Sequence, residues 1–225
     1  MMKKILVFSL AVLLGMVTYA QEKLTEGKIT MTQTMSTDNA QMQAMLDQTM
    51  GGKSMETVAY VKGNKSRSEV SNPMSGNIVT IFDMDKKEML LLMDNAILGK
   101  KYSTTIITKE EEEKMKENTT IVKGTETKTI LGYECTKQTV TVDQDGANMV
   151  MEMYITDKIA PVVSQQTSFL GNKLEGLPMY MVIKMNQQGM NMTITTEVTN
   201  IEKETVSDDK FSLTPPEGYT KMEGM

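Results

Sequence analysis

Apolar and polar residues alternate along most of this 225-residue chain. Gly27 to Met35 sets Ile29, Met31 and Met35 against threonines, the period of two that marks a half-buried strand. Ser36-Thr37-Asp38 can cap a short helix running to about Met50, with Met42, Met45, Leu46 and Met50 at helical spacing, and Gly51-Gly52 stops it. Met55–Val61 and Lys65–Val70 flank Gly63-Asn64, a two-residue hairpin signal. Asn77–Phe82 and Glu88–Met93 form another pair around a polar loop. Ile78–Phe82 and Met89–Met93 are apolar on both faces, so a further layer, expected to be a helix, should cover the second face there. Lys101–Thr108 reads as a strand. Lys109–Glu117, with the run Glu110 to Glu113, reads as a short exposed helix with its acids near the N-terminal dipole.

The second half is a meander. Gly132–Val142 pairs with Asn148–Ile155 across Asp143-Gln144-Asp145-Gly146, and Met179–Met185 pairs with Met190–Val198 across Asn186-Gln187-Gln188-Gly189. With that four-residue loop, Met185 opposes Met190, Ile183 opposes Met192 and Met181 opposes Ile194. All of these lie on one face, with Lys184, Asn191, Thr193 and Thr195 on the other. A last segment, Phe211–Leu213, ends at Pro215-Pro216. With no linker and no fixed-period repeat, one domain over residues 21–225 is the simplest organisation, mainly β with a few helices (α+β).

Methionine dominates these faces. The chain holds 24, and only Met1, Met2 and Met16 fall in the first 20 residues. Met149, Met151 and Met153 share one face of a strand; Met179, Met181, Ile183 and Met185 share another, and Met190, Met192 and Ile194 follow. Three readings stand open. The methionines fill a core in a chain with four phenylalanines and no tryptophan; they form a soft wall that adapts to lipid or acyl chains; or their thioethers select Cu(I).

Composition narrows the setting. A basic start at Lys3-Lys4, an apolar run from Ile5 to Val17 and a small residue at Ala20 are read as a secretory signal peptide, residues 1–20. Residue 21 is Gln, not the cysteine that a lipid anchor needs, so the exported protein is expected to be soluble in the periplasm or secreted. Loss of Lys3 and Lys4 takes the formal charge from −5 to −7. An acidic chain whose one arginine is Arg67 has no footprint for nucleic acid. No run of lysines reads as a lipid-headgroup site, and no later apolar run is long enough for a spanning helix. The lone Cys135 has no internal partner, which leaves it buried or free for an intermolecular bond. Absence of histidine removes the commonest general base and metal ligand, and no glycine-rich phosphate loop follows a strand. No catalytic residue, cofactor or metal set is assigned, and the chain is not expected to be an enzyme.

Val61-Lys62-Gly63-Asn64-Lys65-Ser66-Arg67-Ser68-Glu69, followed by Ile78–Phe82 and Met89–Met93, resembles the periplasmic lipoprotein carriers LolA and LolB and an exported family of unknown function near them. Ile130 to Cys135, Tyr154-Ile155-Thr156 and Gly176-Leu177-Pro178 also resemble the exported GLPGLI-type proteins. The carrier resemblance implies a curved antiparallel sheet or incomplete β-barrel, with two or three helices covering one face and an apolar concave side that receives acyl chains. It also implies that Arg67 fastens the lid, here the helix carrying Met42, Met45 and Leu46; Ser66 and Ser68 stand where the carriers have aromatics. The expected function is noncatalytic binding of lipid or lipoprotein acyl chains. The residues expected to line the site are Met149, Met151, Met153, Met179, Met181, Ile183, Met185, Met190, Met192 and Ile194. An envelope protein partner bound by a self-filled module is the alternative, and Cu(I) binding the third.

Overall fold

The described residues form twelve strands, most of them with period-two alternation, and all of them join one sheet. The computed structural model describes residues 22–50, 54–72, 76–144, 147–164, 167, 170, 173–187 and 190–222. The strands are β1 (Glu26–Thr37), β2 (Met55–Lys62), β3 (Lys65–Asn72), β4 (Gly76–Asp83), β5 (Glu88–Asn95), β6 (Gly99–Ile106), β7 (Thr119–Ile130), β8 (Tyr133–Gln144), β9 (Ala147–Thr156), β10 (Leu177–Gln187), β11 (Met190–Glu202) and β12 (Thr220–Lys221). Two α-helices join them, α1 (Ala40–Met50) and α2 (Lys109–Glu117). Across the sheet the order is β12-β6-β5-β4-β3-β2-β1-β11-β10-β9-β8-β7. Every pairing is antiparallel except the short parallel contact of β12 with β6.

Chain length forces this sheet to curl. β6 and β7 are ten strand spacings apart in the order, about 48 Å if the sheet were flat. Only Ile107 to Asn118 connect them, and with α2 in the middle that link reaches about 28 Å at most. The two edges must therefore approach each other across α2. They do not pair, so the sheet is an unclosed, mostly antiparallel barrel, as the resemblance implies.

Local chemistry sets the helix starts. Asn39 caps α1, its Oδ1 accepting from the backbone N–H groups of Gln41 (3.1 Å) and Met42 (3.0 Å). The cap is thus one residue later than Ser36-Thr37-Asp38, and Asp38 is used elsewhere: its carboxylate accepts from the backbone N–H of Asn191 at 3.1 Å. Thr108 and Glu111 form a reciprocal capping box on α2, and the hydrogen bonds from Thr108 hold the Glu111 carboxyl below the usual carboxylate range.

One face of the sheet, called inner here, buries Ile29, Met31, Ala59, Val61, Phe82, Met151, Met153, Met179 and Ile183. Its main cover is a strap of chain, residues 157–176, without α-helix among its described residues. Ile159, Ala160, Val162, Val163, Leu170 and Leu174 of the strap are buried. Leu24 ties its start through a backbone bridge, donating to Lys158 O (2.7 Å) and accepting from Ala160 N (2.9 Å). Farther along, the N–H of Val163 donates to Ser66 Oγ at 3.2 Å. Ser66, a small buried side chain on the inner face, thus meets the strap directly.

The opposite, outer face of β3–β6 is also covered. Val206 and Phe211 pack on Ile81, Leu90 and Leu92, with Leu213 and Tyr219 alongside. This is the second layer that the apolar faces of β4 and β5 require, but it is a single 3-10 turn (Asp208–Phe211) and irregular chain instead of the expected helix. Phe211–Leu213 accordingly adds no strand.

Two hairpins are tighter than expected: in β8–β9, Asp143 and Gln144 pair with Asn148 and Ala147 instead of lying in a four-residue loop, and β10–β11 also shifts in register. Gln187 pairs with Met190, so Met185 faces Met192 and Ile183 faces Ile194, two residues from the expected pairing. A two-residue connection replaces the four-residue loop; residues 188 and 189 within it lie outside the described residues. Two-residue loops match strand twist best, and a slip of two keeps every side chain on its face.

Candidate functional site

Cross-strand pairing arranges the inner face in rows. The first row is Val142, Met149, Met185 and Met192, each directly opposite the next on β8, β9, β10 and β11. Behind it runs a second row, Ile121, Val140, Met151, Ile183, Ile194 and Met35. The third is Gln138, Met153, Met181, Thr196 and Gln33. Residues far apart in the sequence, such as Met35 and Ile194, are thereby brought within side-chain contact.

Burial is graded along the rows. In the second and third rows Met151, Met153, Met181, Ile183 and Ile194 are buried, and Leu170 and Leu174 of the strap pack against them. Met179 is buried in the adjoining cluster with Leu24 and Ile159. The first row and its neighbour Met190 are only half-buried. Of the methionines expected to line a site, Met149, Met185, Met190 and Met192 thus form an accessible apolar rim. Met151, Met153, Met179, Met181, Ile183 and Ile194 lie beneath the strap as core.

The end of the sheet that holds this rim also holds α1 and the β5–β6 turn, because β1 ends and β11 begins there. α1 packs on β1, with Leu46 buried, Met42 half-buried and Met45 46% exposed. The described hydrogen bonds of Arg67 do not go to α1. Alternation along β3 puts Arg67 on the outer face, where its guanidinium donates to Glu69 and to the carbonyl of Lys210 (3.0 Å). It fastens the C-terminal segment, with help from Lys62, which donates to Val206 O at 2.9 Å and pairs with Asp208 at 3.0 Å.

The outer surface behind the methionine rows is polar. Lys184 donates to Glu152 at 2.9 Å, and Lys137 bridges Glu152 and Glu126, each at 3.5 Å. The hydrogen bond from Lys184, reinforced by the charges of Lys184 and Lys137, holds the Glu152 carboxyl below its ordinary value. Such half-exposed pairs add little stability but keep this face in water. A small void of about 30 Å³ lies between the third row and the strap, bounded by Gln33, Thr57, Val162, Thr167, Met181 and Thr196. It has no room for an acyl chain.

Cys135 is fully buried, and burial pushes its thiol up to about 11. A neutral buried thiol is a packing group, so the intermolecular bond left open by the sequence has no exposed sulfur to form it. A groove of about 680 Å³ opens on the outer face, floored by Val58, Glu69 and Val79 and bordered by Arg67, Met50 and Tyr219. Sequence reading missed it because its walls come from α1, β2, β3, β4 and the C-terminal segment, with no shared motif. Among the described residues no group of three or more His, Cys, Asp or Glu could hold a metal ion, and no helix is long and apolar enough to cross a membrane.

Known proteins offer limited company. No curated protein matches the chain. Part of PNGF-II shares its fold: in one crystal form the match has a TM-score of 0.51 at 15% identity, covering 87% of this chain and 31% of that one. A second crystal form gives 0.49 at 14% identity with the same coverage. The chain thus spans about a third of PNGF-II's length. Mycobacterium tuberculosis lipoprotein LppX aligns over 81% of this chain and 90% of its own at 9% identity, with a TM-score of 0.32 that is too low to argue from. The family described as "Domain of unknown function (DUF4412)" matches residues 25–219, nearly all of the sheet, and the chain belongs to that family.

Proposed function

We propose that this chain is an exported, noncatalytic binding protein that takes lipid or lipoprotein acyl chains at the methionine end of its inner face. The observation that carries this reading is the burial gradient. Met149, Met185 and Met192 form a half-buried row that leads directly into a buried row of the same chemistry. An acyl chain would lie along the first row and follow the second by displacing Leu170 and Leu174. Unbranched thioether side chains refit around such a ligand at little cost, and each buried methylene contributes about 0.8 kcal/mol. Beyond the Leu24–Ile159 bridge the described residues of the strap join no strand, so Leu170 and Leu174 can be displaced without breaking a sheet ladder. The proposed setting is the envelope of a Gram-negative cell, reached through the signal peptide.

One observation favours a second reading. Met151, Met153, Met181 and Ile183 are already covered by strap side chains, which is what a self-filled module that binds another protein requires. Native mass measurement decides between them. Protein from the soluble envelope fraction is expected to carry co-purified lipid, or to gain it on addition of a single-chain phospholipid. A bare mass that stays unchanged would overturn the acyl-binding reading. A gain of copper alone would replace it with a thioether site in the row Met149, Met185 and Met192.

A further inference from the structure

The β5–β6 turn is built in an unusual way for a surface hairpin. Its tip is Ala96-Ile97-Leu98, with Ile97 90% exposed and Leu98 61% exposed. Exposed turns normally carry Gly, Asn, Asp or Ser. This one is rigid: the buried Asn95 side chain accepts from the N–H groups of Ile97 (2.8 Å) and Leu98 (3.1 Å), and Gly99 closes the turn at a φ of +71°. A fixed scaffold therefore holds two branched apolar side chains out in water.

Lysines stand behind the tip. Lys100 and Lys101 follow it directly, and β12 brings Lys221 alongside through its pairing with Tyr102. Lys100 is half-exposed and lies 3.8 Å from Asp94, a loose contact. The sequence holds no run of more than two lysines; the parallel pairing of the last strand adds Lys221 to Lys100 and Lys101 to make this basic collar. The tip also sits at the same end of the sheet as the half-buried methionines, since β5 ends where β11 begins.

We propose that the Ile97-Leu98 tip docks this protein on an anionic lipid surface, with the lysine collar meeting the headgroups. A membrane fits better than a protein partner. Two side chains at a point cannot supply the roughly 800 Å² per partner of a stable protein interface, whereas shallow insertion needs only such a point. Lysines at headgroup level complement negative charge while the tip enters the acyl boundary. Docking in this orientation presents the methionine rim to the membrane from which an acyl chain would come.

Vesicle sedimentation tests this with the protein from Gln21 onward. It is expected to sediment with phosphatidylglycerol vesicles more than with phosphatidylcholine vesicles, and less at high salt. The double variant Ile97→Ser/Leu98→Ser should bind about tenfold or more weakly to both, its fold intact by circular dichroism because both side chains are largely exposed. Lys100→Gln/Lys101→Gln/Lys221→Gln should lose only the preference for phosphatidylglycerol. Wild-type protein left in the supernatant with both vesicles, or a double variant that binds like wild type, would overturn the proposal. Docking does not depend on ligand uptake: sedimentation by a protein that carries no lipid would uphold the tip and count against the acyl-binding reading alone.

Discussion

Met151→Asp is expected to remove a large share of the protein's stability, while Met192→Asp leaves it close to wild type. Met151 is 0% exposed in the second row, between Val140 and Ile183 and close to the strap leucines. A carboxylate there has no partner, and its desolvation together with the lost packing costs about 4 kcal/mol or more. Domains have only about 5–15 kcal/mol in all, so the loss takes a large share of it. Met192 sits in the half-buried first row, where a carboxylate can reach water and costs about 1 kcal/mol. Urea titration followed by circular dichroism reads both. Equal destabilisation by the two would mean that the rim is core and that no accessible apolar end exists.

Gly176→Ala should be severely damaging for a change of one carbon atom. A Cβ at residue 176 would meet the carbonyl oxygen of Thr156 at 2.0 Å and its carbonyl carbon at 2.8 Å. Both atoms are backbone, so relief requires moving the end of β9 away from the start of β10. Leu177, which pairs with Thr156 and is buried in the core, would be pulled with it. A loss of about 2–4 kcal/mol is expected, together with protease cleavage within the strap well below the melting temperature. An alanine variant with the wild-type melting curve and no strap cleavage would show that the strap is not anchored at this point.

Much of the sheet is legible because strand alternation survives small errors. The β10–β11 pairing slips by two residues from the expected register, yet Met181, Ile183, Met192 and Ile194 keep their face, since the side-chain period is also two. Edge position hides β7. Thr119 to Ile130 faces water at most positions and carries a break in register between Lys123 and Thr127, so no apolar alternation survives in it. The strap is hidden for another reason: Ile159, Val162, Val163, Leu170 and Leu174 fall at helix-like spacings, yet Pro161 and Gly171 interrupt that stretch of sequence and no α-helix forms among its described residues. Arg67 shows the opposite case. Alternation with Ser66 and Ser68 was enough to place it on the face away from them, but the carrier resemblance drew it to the lid. The lysine collar could not be foreseen, because it depends on where the last two-residue strand pairs.

Isotope-labelled methionine methyl groups test the acyl-binding proposal most directly, since methionines lie at the rim, beneath the strap and in remote turns. With a single-chain phospholipid added, the methyl resonances of Met149, Met185 and Met192 are expected to shift first, followed by Met151 and Met181 as the strap yields. Met84, in the β4–β5 turn at the other end of the sheet, should stay in place. Shifts confined to Met84 or to the outer groove at Met50, or no methyl shift at saturating lipid, would contradict it.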